Sequence, residues 1–160
     1  MTGSNPTDRS KLGTKRHILT DKNGIPLSVV ISSASTHDIK LVTDVMDNMV
    51  IKRSSSSSTK CNSSRNRKLQ HLCLDKAYNS KTVKQAIIKH GYVPHIPYKR
   101  NRGQKIKPIC QKKYPSAKNR RWVVERTNSW HNRFRKLFTR YEKKVGNYLG
   151  LVQLSCSIII

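Results

Sequence analysis

The order of elements between residues 69 and 97 limits the fold more than any other feature of this 160-residue chain. Residues 69–78 read LQHLCLDKAY, where Leu69, Leu72 and Leu74 predict a short buried strand that ends at Asp75. Asn79 is a suitable N-cap for a helix over SKTVKQAIIKH, and Gly91 can close that helix by accepting the left-handed conformation. VPHIP follows as a second short strand. Strand, helix, strand in this order predicts a parallel α/β unit, because parallel neighbours need a crossover long enough to hold a helix.

The flanking segments predict what surrounds that unit. KRHILTDKNGIPLSVVI (15–31) holds two β-rich runs around Asp21-Lys22-Asn23-Gly24, and Asn-Gly supplies the positive φ that a hairpin needs. In STHDIKLVTDVMDNMV (35–50), Leu41, Val45 and Met49, with Val42 and Met46 beside them, predict an amphipathic helix lying on the sheet, capped by Thr36 or Asp38. Residues 52–68, with five consecutive serines among Lys and Arg, have no apolar period and read as a flexible basic insertion. Residues 98–115 read as a basic loop, and 117–160 as C-terminal helices. In the first of these helices Val123, Thr127, Trp130, Phe134, Leu137 and Tyr141 fall on one core-facing stripe. In the last, Val145, Leu149, Val152 and Cys156 should cover the sheet or meet a neighbour.

Charge narrows the class of partner. Lys and Arg number 33 against 8 Asp and Glu, a formal net charge of +25. A polyanion is implied, and nucleic acid is preferred because phosphates bound by cations release counterions and drive sequence-independent affinity. A membrane surface is disfavoured, since no apolar run is long enough to span a bilayer and no basic amphipathic helix stands apart. Cys61, Cys73, Cys110 and Cys156 make no CxxC pair, so neither a zinc ribbon nor a disulfide framework is predicted. With no secretory signal at the start, the expected setting is the cytoplasm, in association with DNA.

Acidic residues are scarce enough to judge singly. Asp21 is a turn residue, Asp44 and Asp47 lie on a helix surface, and Glu142 begins or joins the last helix. Asp75 is different: it stands where an apolar strand stops, the edge at which open α/β folds place ligands. The structural alternative is a cap or turn residue, which the nearer cap Asn79 disfavours. Glu125 lies opposite the core stripe of its helix, on a face with Lys118, Arg121, Asn128 and Asn132. Its structural alternative is a surface pair with Arg121. A carboxylate among bases and amides is also what holds a divalent cation beside a phosphate.

Several blocks, taken together, carry a family resemblance. NPTDRSKLGTKRHILTDKNGIPL, STHDIK, LCLDKAYNS, GYVPHIP and RRWVVERTNSWHNRFRKLFTRYEKKVGNYLGL resemble the insertion-sequence transposases of the DDE type, in the group containing insertion sequence five. The resemblance covers nearly the whole chain outside the serine-rich insertion. It implies an α/β fold with a ribonuclease-H-like mixed sheet and flanking helices, and three carboxylates that bind two Mg²⁺ or Mn²⁺ ions. The second Asp of that set matches Asp75 in LCLDKAY, and the Glu matches Glu125 in RRWVVERTNSW. Arg121 and Arg133 match basic positions around the Glu, the spacing to Arg133 being one residue longer than the commonest form. With Lys15, Arg16, Lys99, Arg100 and Arg102, they are the candidate DNA contacts.

One part of the pattern is lacking. The family's first Asp lies on the central strand, upstream of the NPTDR block, and only MTGSN precedes that block here. Asp8 is the nearest acid and reads as a loop or turn residue. The expectation is therefore a partial catalytic domain over residues 1–160, lacking its first, central strand and inactive alone, with an upstream transposase portion supplying the first Asp. The implied partners are transposon terminal repeats and target DNA, with a homo-oligomer as the active form. The alternative is a non-catalytic DNA-binding protein, a remnant or a regulator.

Overall fold

The computed structural model describes residues 2–5, 8–51, 70–97 and 122–159. The insertion at 52–68, the basic loop at 98–115 with Lys99, Arg100 and Arg102, and Arg121 lie outside the described residues. The chain forms two compact units, Met1–Val50 with Arg120–Ile160, and Ile51–Asn119.

The first unit is built on an antiparallel sheet of order β1-β2-β3, with β1 at Gly3–Ser4, β2 at Leu12–Thr20 and β3 at Pro26–Ser33. The β2–β3 pair is the expected hairpin. Its turn is closed by the Asp21 carboxylate, which accepts the Asn23 and Ile25 amides at 2.8 Å each. The positive φ falls on Gly24 alone, at 92°. Strand β1 was not expected from the opening residues; it pairs only with Leu12 and Gly13. Asp8 lies in the turn between β1 and β2, where its amide donates to the Asn5 carbonyl and its own carbonyl accepts from Lys11.

After the hairpin, a 3-10 turn at Asp38–Leu41 leads into α1 at Val42–Asp47, which packs on β3. Val42, Met46 and Met49 are buried, whereas Leu41 and Val45 are only half-buried. Neither Thr36 nor Asp38 caps this helix, contrary to expectation. The Asp38 carboxylate is instead engaged by Lys15, whose ammonium donates to it at 2.9 Å and to the Thr36 backbone carbonyl at 3.1 Å.

Three helices complete this unit: α3 at Trp122–Asn132, α4 at Arg135–Phe138 and α5 at Val145–Ile159. The stripe predicted over 123–141 is interrupted, because Phe134 adopts an extended backbone (φ −80°, ψ 106°) and ends the helical phase. Val123, Thr127 and Leu137 are buried as the period requires, but Tyr141 beyond the break is 74% exposed. On α5 the buried positions are Tyr148, Val152 and Ser155, so only Val152 of the four predicted residues is fully enclosed. The Arg140 guanidinium lies 5.1 Å from the Tyr148 ring centroid, and the buried Tyr148 hydroxyl donates to the Leu137 carbonyl at 3.3 Å. Leu137, Tyr148 and Val152 form a cluster with Val29, Ile31, Phe134, Leu151 and Cys156.

The second unit contains β4 (His71–Cys73), a 3-10 turn (Lys76–Tyr78), α2 (Lys81–Lys89) and β5 (Val93–His95). Strands β4 and β5 pair in parallel, with Leu72 opposite Pro94, as the strand-helix-strand order requires. Helix α2 is capped by the Ser80 hydroxyl, which accepts the Val83 amide at 3.2 Å, and not by Asn79. It ends in a Schellman motif: Gly91, at φ 79°, donates to Ile88 and Tyr92 donates to Ile87. The chain is thus mixed α/β, but among the described residues its strands form two sheets where one mixed sheet was expected.

His131 is a core residue that the apolar period passes over. It is fully buried on α3, with Nδ1 3.5 Å from the Ser155 hydroxyl and Nε2 3.7 Å from the Cys156 sulfur. Burial, reinforced by the Arg16 charge, lowers its pKa to about 4 from 6.5. Below pH 6.5 the unfolded chain takes up a proton that the folded chain refuses, so stability is complete above 6.5 and falls until about pH 4. The loss attributable to His131 is on the order of 3 kcal/mol. His131→Leu should flatten thermal melting midpoints measured across this window; His17 and His95, also lowered by burial, leave a smaller slope of the same sign.

Candidate active site

Asp75 follows β4 by two residues, at the carboxyl edge of a parallel pair. Its backbone is extended (φ −72°, ψ 160°), and its carboxylate accepts the Lys76 amide at 2.6 Å while its carbonyl accepts from Tyr78. Asp75 therefore caps the short 3-10 turn. The side chain is half-buried, which leaves it within reach of solvent. Close by in the same unit, His71 Nδ1 and His95 Nε2 are 2.6 Å apart, one nitrogen donating to the other across the two strands. Burial, and then the neighbouring His71, hold His95 below the usual imidazole range.

Glu125 lies in the first turn of α3 and is exposed. A carboxylate there faces the positive end of the helix dipole. The inward face of α3 buries Val123, Thr127 and His131. Trp122, Ser129 and Asn132, at helical spacing from Glu125, are exposed with it. Asn132 is also tied inward, its Oδ1 accepting from Arg16 Nη2 at 2.7 Å. Arg133, just past the end of α3, is exposed, and its amide donates to the Trp130 carbonyl. Of the two proposed hairpin contacts, Lys15 is bound to Asp38 and Arg16 to Asn132, so each has a partner within the fold.

The residue that sequence reasoning missed is Arg126. Its guanidinium carbon lies 4.8 Å from the Trp122 ring centroid and 4.9 Å from that of Trp130, a cation between two aromatic rings. Its Nη2 donates to the Asn23 carbonyl in the hairpin turn. Thr127, fully buried, donates to the adjacent Gly24 carbonyl at 2.8 Å. The spacing Trp-x₃-Arg-x₃-Trp, which sets three side chains one helical turn apart, was the available signal. Of these three residues the apolar period takes in only Trp130, as core.

Asp75 and Glu125 belong to different units, and each carboxylate is described within its own. As donors both are hard oxygen ligands of the kind that Mg²⁺ and Mn²⁺ prefer. Among the described residues no three His, Cys, Asp or Glu side chains gather closely enough to hold a metal ion.

The Thr127 bond can be tested directly. Thr127→Val keeps the shape but strands the Gly24 carbonyl in a buried place, and equilibrium urea unfolding should show a loss of roughly 1–3 kcal/mol. An unchanged midpoint would mean that the turn is not anchored through this hydroxyl.

The chain matches the family of transposase DDE domains over residues 2–160. It is 32% identical over 162 aligned positions to a Burkholderia cepacia protein described as a candidate transposase for insertion sequence element IS402, covering 99% of this chain and 67% of that one. No solved structure matches the chain. No helix among the described residues is long and apolar enough to cross a membrane. The match over almost the full length establishes that this chain belongs to the DDE transposase domain family.

Proposed function

We propose that the chain contributes two of the three metal-binding carboxylates, Asp75 and Glu125, to a transposase that cleaves DNA at insertion-sequence ends and transfers the strand to target DNA. The observation that carries this reading is Glu125: in a chain with 8 acidic residues against 33 Lys and Arg, it stands exposed on the outward face of α3 while the opposite face is core. Asp75, at the carboxyl edge of β4, supports it from the second unit. Asp75 and Glu125 would hold a divalent ion, Mg²⁺ or Mn²⁺ with two ions in the complete enzyme, which would supply activation of the attacking oxygen and stabilisation of the leaving oxygen.

The protein's own part is placement. The Asp75 backbone bonds fix its carboxylate beside the 3-10 turn. Arg133 and, outside the described residues, Arg121 contact phosphates flanking the reacting bond. Lys99, Arg100 and Arg102 hold the duplex through its backbone, with sequence-independent affinity. Lys15 and Arg16 contribute through the field of the strand that carries them, since Lys15 Nζ and Arg16 Nη2 already have partners in the fold. The first Asp comes from sequence upstream of these residues, and the active form is an oligomer working on DNA in the cytoplasm.

The test is complementation. The chain is co-expressed with an upstream transposase portion carrying an Asp-bearing strand, and cleavage of terminal-repeat DNA is followed with and without Mg²⁺. Metal-dependent nicking that falls to background in Asp75→Asn and Glu125→Gln is the expected result. Undiminished cleavage in either variant contradicts the site assignment, and DNA binding without any cleavage favours a non-catalytic binding protein. In the same preparation, log K for duplex DNA should fall linearly with log salt, and Arg133→Ala should reduce that slope by about 1.

A further inference from the structure

Arg126 follows Glu125 directly, yet the two side chains serve different surroundings. Glu125 is exposed, while Arg126 is half-buried between Trp122 and Trp130 with its Nε enclosed. Arg126 and Thr127, consecutive on α3, donate to Asn23 and Gly24, consecutive in the hairpin turn. A helix held at one point can rotate about its axis, but two adjacent residues pointing about 100° apart and held to adjacent carbonyls cannot. The seat for this pair of hydrogen bonds depends on Gly24, where a Cβ would lie 3.0 Å from both Arg126 Nη2 and Thr127 Oγ1. The hairpin turn thus sets the rotation of α3, and with it the direction in which position 125 faces.

We propose that Arg126 is a positioning residue: the tryptophan-enclosed guanidinium, locked onto the turn at Asn23, fixes the direction in which Glu125 presents its carboxylate to a divalent cation. This rests on the reading of Glu125 as a metal ligand. Charge and geometry make opposite predictions for it. If Arg126 acted only as a neighbouring positive charge, it would weaken cation binding, and its removal would tighten that binding. Acting by position, its removal loosens binding, as loss of an outer support for a metal ligand does. Misplacement of a reacting group by about 1 Å is enough to affect catalysis strongly.

The experiment titrates the full 160-residue chain with Mn²⁺, free ion being read by electron paramagnetic resonance, with circular dichroism and melting curves taken on every variant. Glu125→Gln should abolish the tighter component of binding. Arg126→Gln and Arg126→Lys should each weaken it roughly tenfold, the lysine variant because an ammonium keeps the charge without the planar contact between two rings. Gly24→Ala, which alters no charge, should weaken it in the same direction. If Arg126→Gln melts too low to assay, Arg126→Lys and Gly24→Ala carry the comparison. Unchanged or tighter binding in Arg126→Gln, or wild-type binding in Arg126→Lys, overturns the positioning role. Binding that ignores Glu125→Gln overturns the ligand assignment beneath it, whatever the Arg126 variants do.

Discussion

The docking of α3 onto the hairpin turn governs the larger unit. Two segments about a hundred residues apart in sequence meet through the Arg126 and Thr127 donors and the Asn23 and Gly24 carbonyls, with separations of 103 residues each. Turn carbonyls are ordinarily left to water; here helix donors satisfy them, and Thr127 is fully enclosed in doing so. The aromatic sandwich around Arg126 makes burial of its charge tolerable, because the rings present negative faces to the guanidinium. Below this contact, His131 and the α5 residues Ser155 and Cys156 continue the same interface. One face of α3 is therefore occupied by structure, and its other face is available for chemistry.

A strongly basic chain must also find partners for its few carboxylates, and at least three of the eight are used within the fold. Asp21 closes the hairpin turn, Asp38 holds Lys15, and Asp75 caps the 3-10 turn after β4. Glu125 sits on an exposed helical face beside Trp122, Ser129 and Asn132, as Asp44 and Asp47 sit on the exposed side of α1. The Asp75 cap does not compete with metal binding in principle, since a carboxylate has two oxygens and several lone pairs. Orientation by a backbone amide is a common way to steady a ligand before an ion arrives.

Much of the local structure was legible in the residues. Asn23-Gly24 marked the hairpin, Gly91 marked the end of α2, and the strand-helix-strand order marked the parallel pair. What was lost follows from tertiary competition with local preference. Lys15 engages the Asp38 carboxylate, and Ser80 caps where Asn79 was the nominal choice. The extended backbone at Phe134 breaks a stripe that periodicity alone carries through to Tyr141. His131 escaped because an imidazole at a core position is read as polar. Arg126 escaped because its value lies in contacts with a turn that only the folded chain brings to it. The candidate ligands Asp75 and Glu125 stood out through acid scarcity and family resemblance, whereas the contacts of Arg126 beside Glu125 did not.

The central claim is that Asp75 and Glu125 are metal ligands beside DNA. Its most direct measurement is an anomalous-scattering map of the chain crystallised with Mn²⁺ and terminal-repeat duplex, together with the upstream portion if assembly requires it. The account predicts Mn²⁺ density at coordination distance from carboxylate oxygens of Asp75 and Glu125, next to a DNA phosphate. Ordered DNA with Mn²⁺ absent from both carboxylates, or bound only elsewhere, would contradict it.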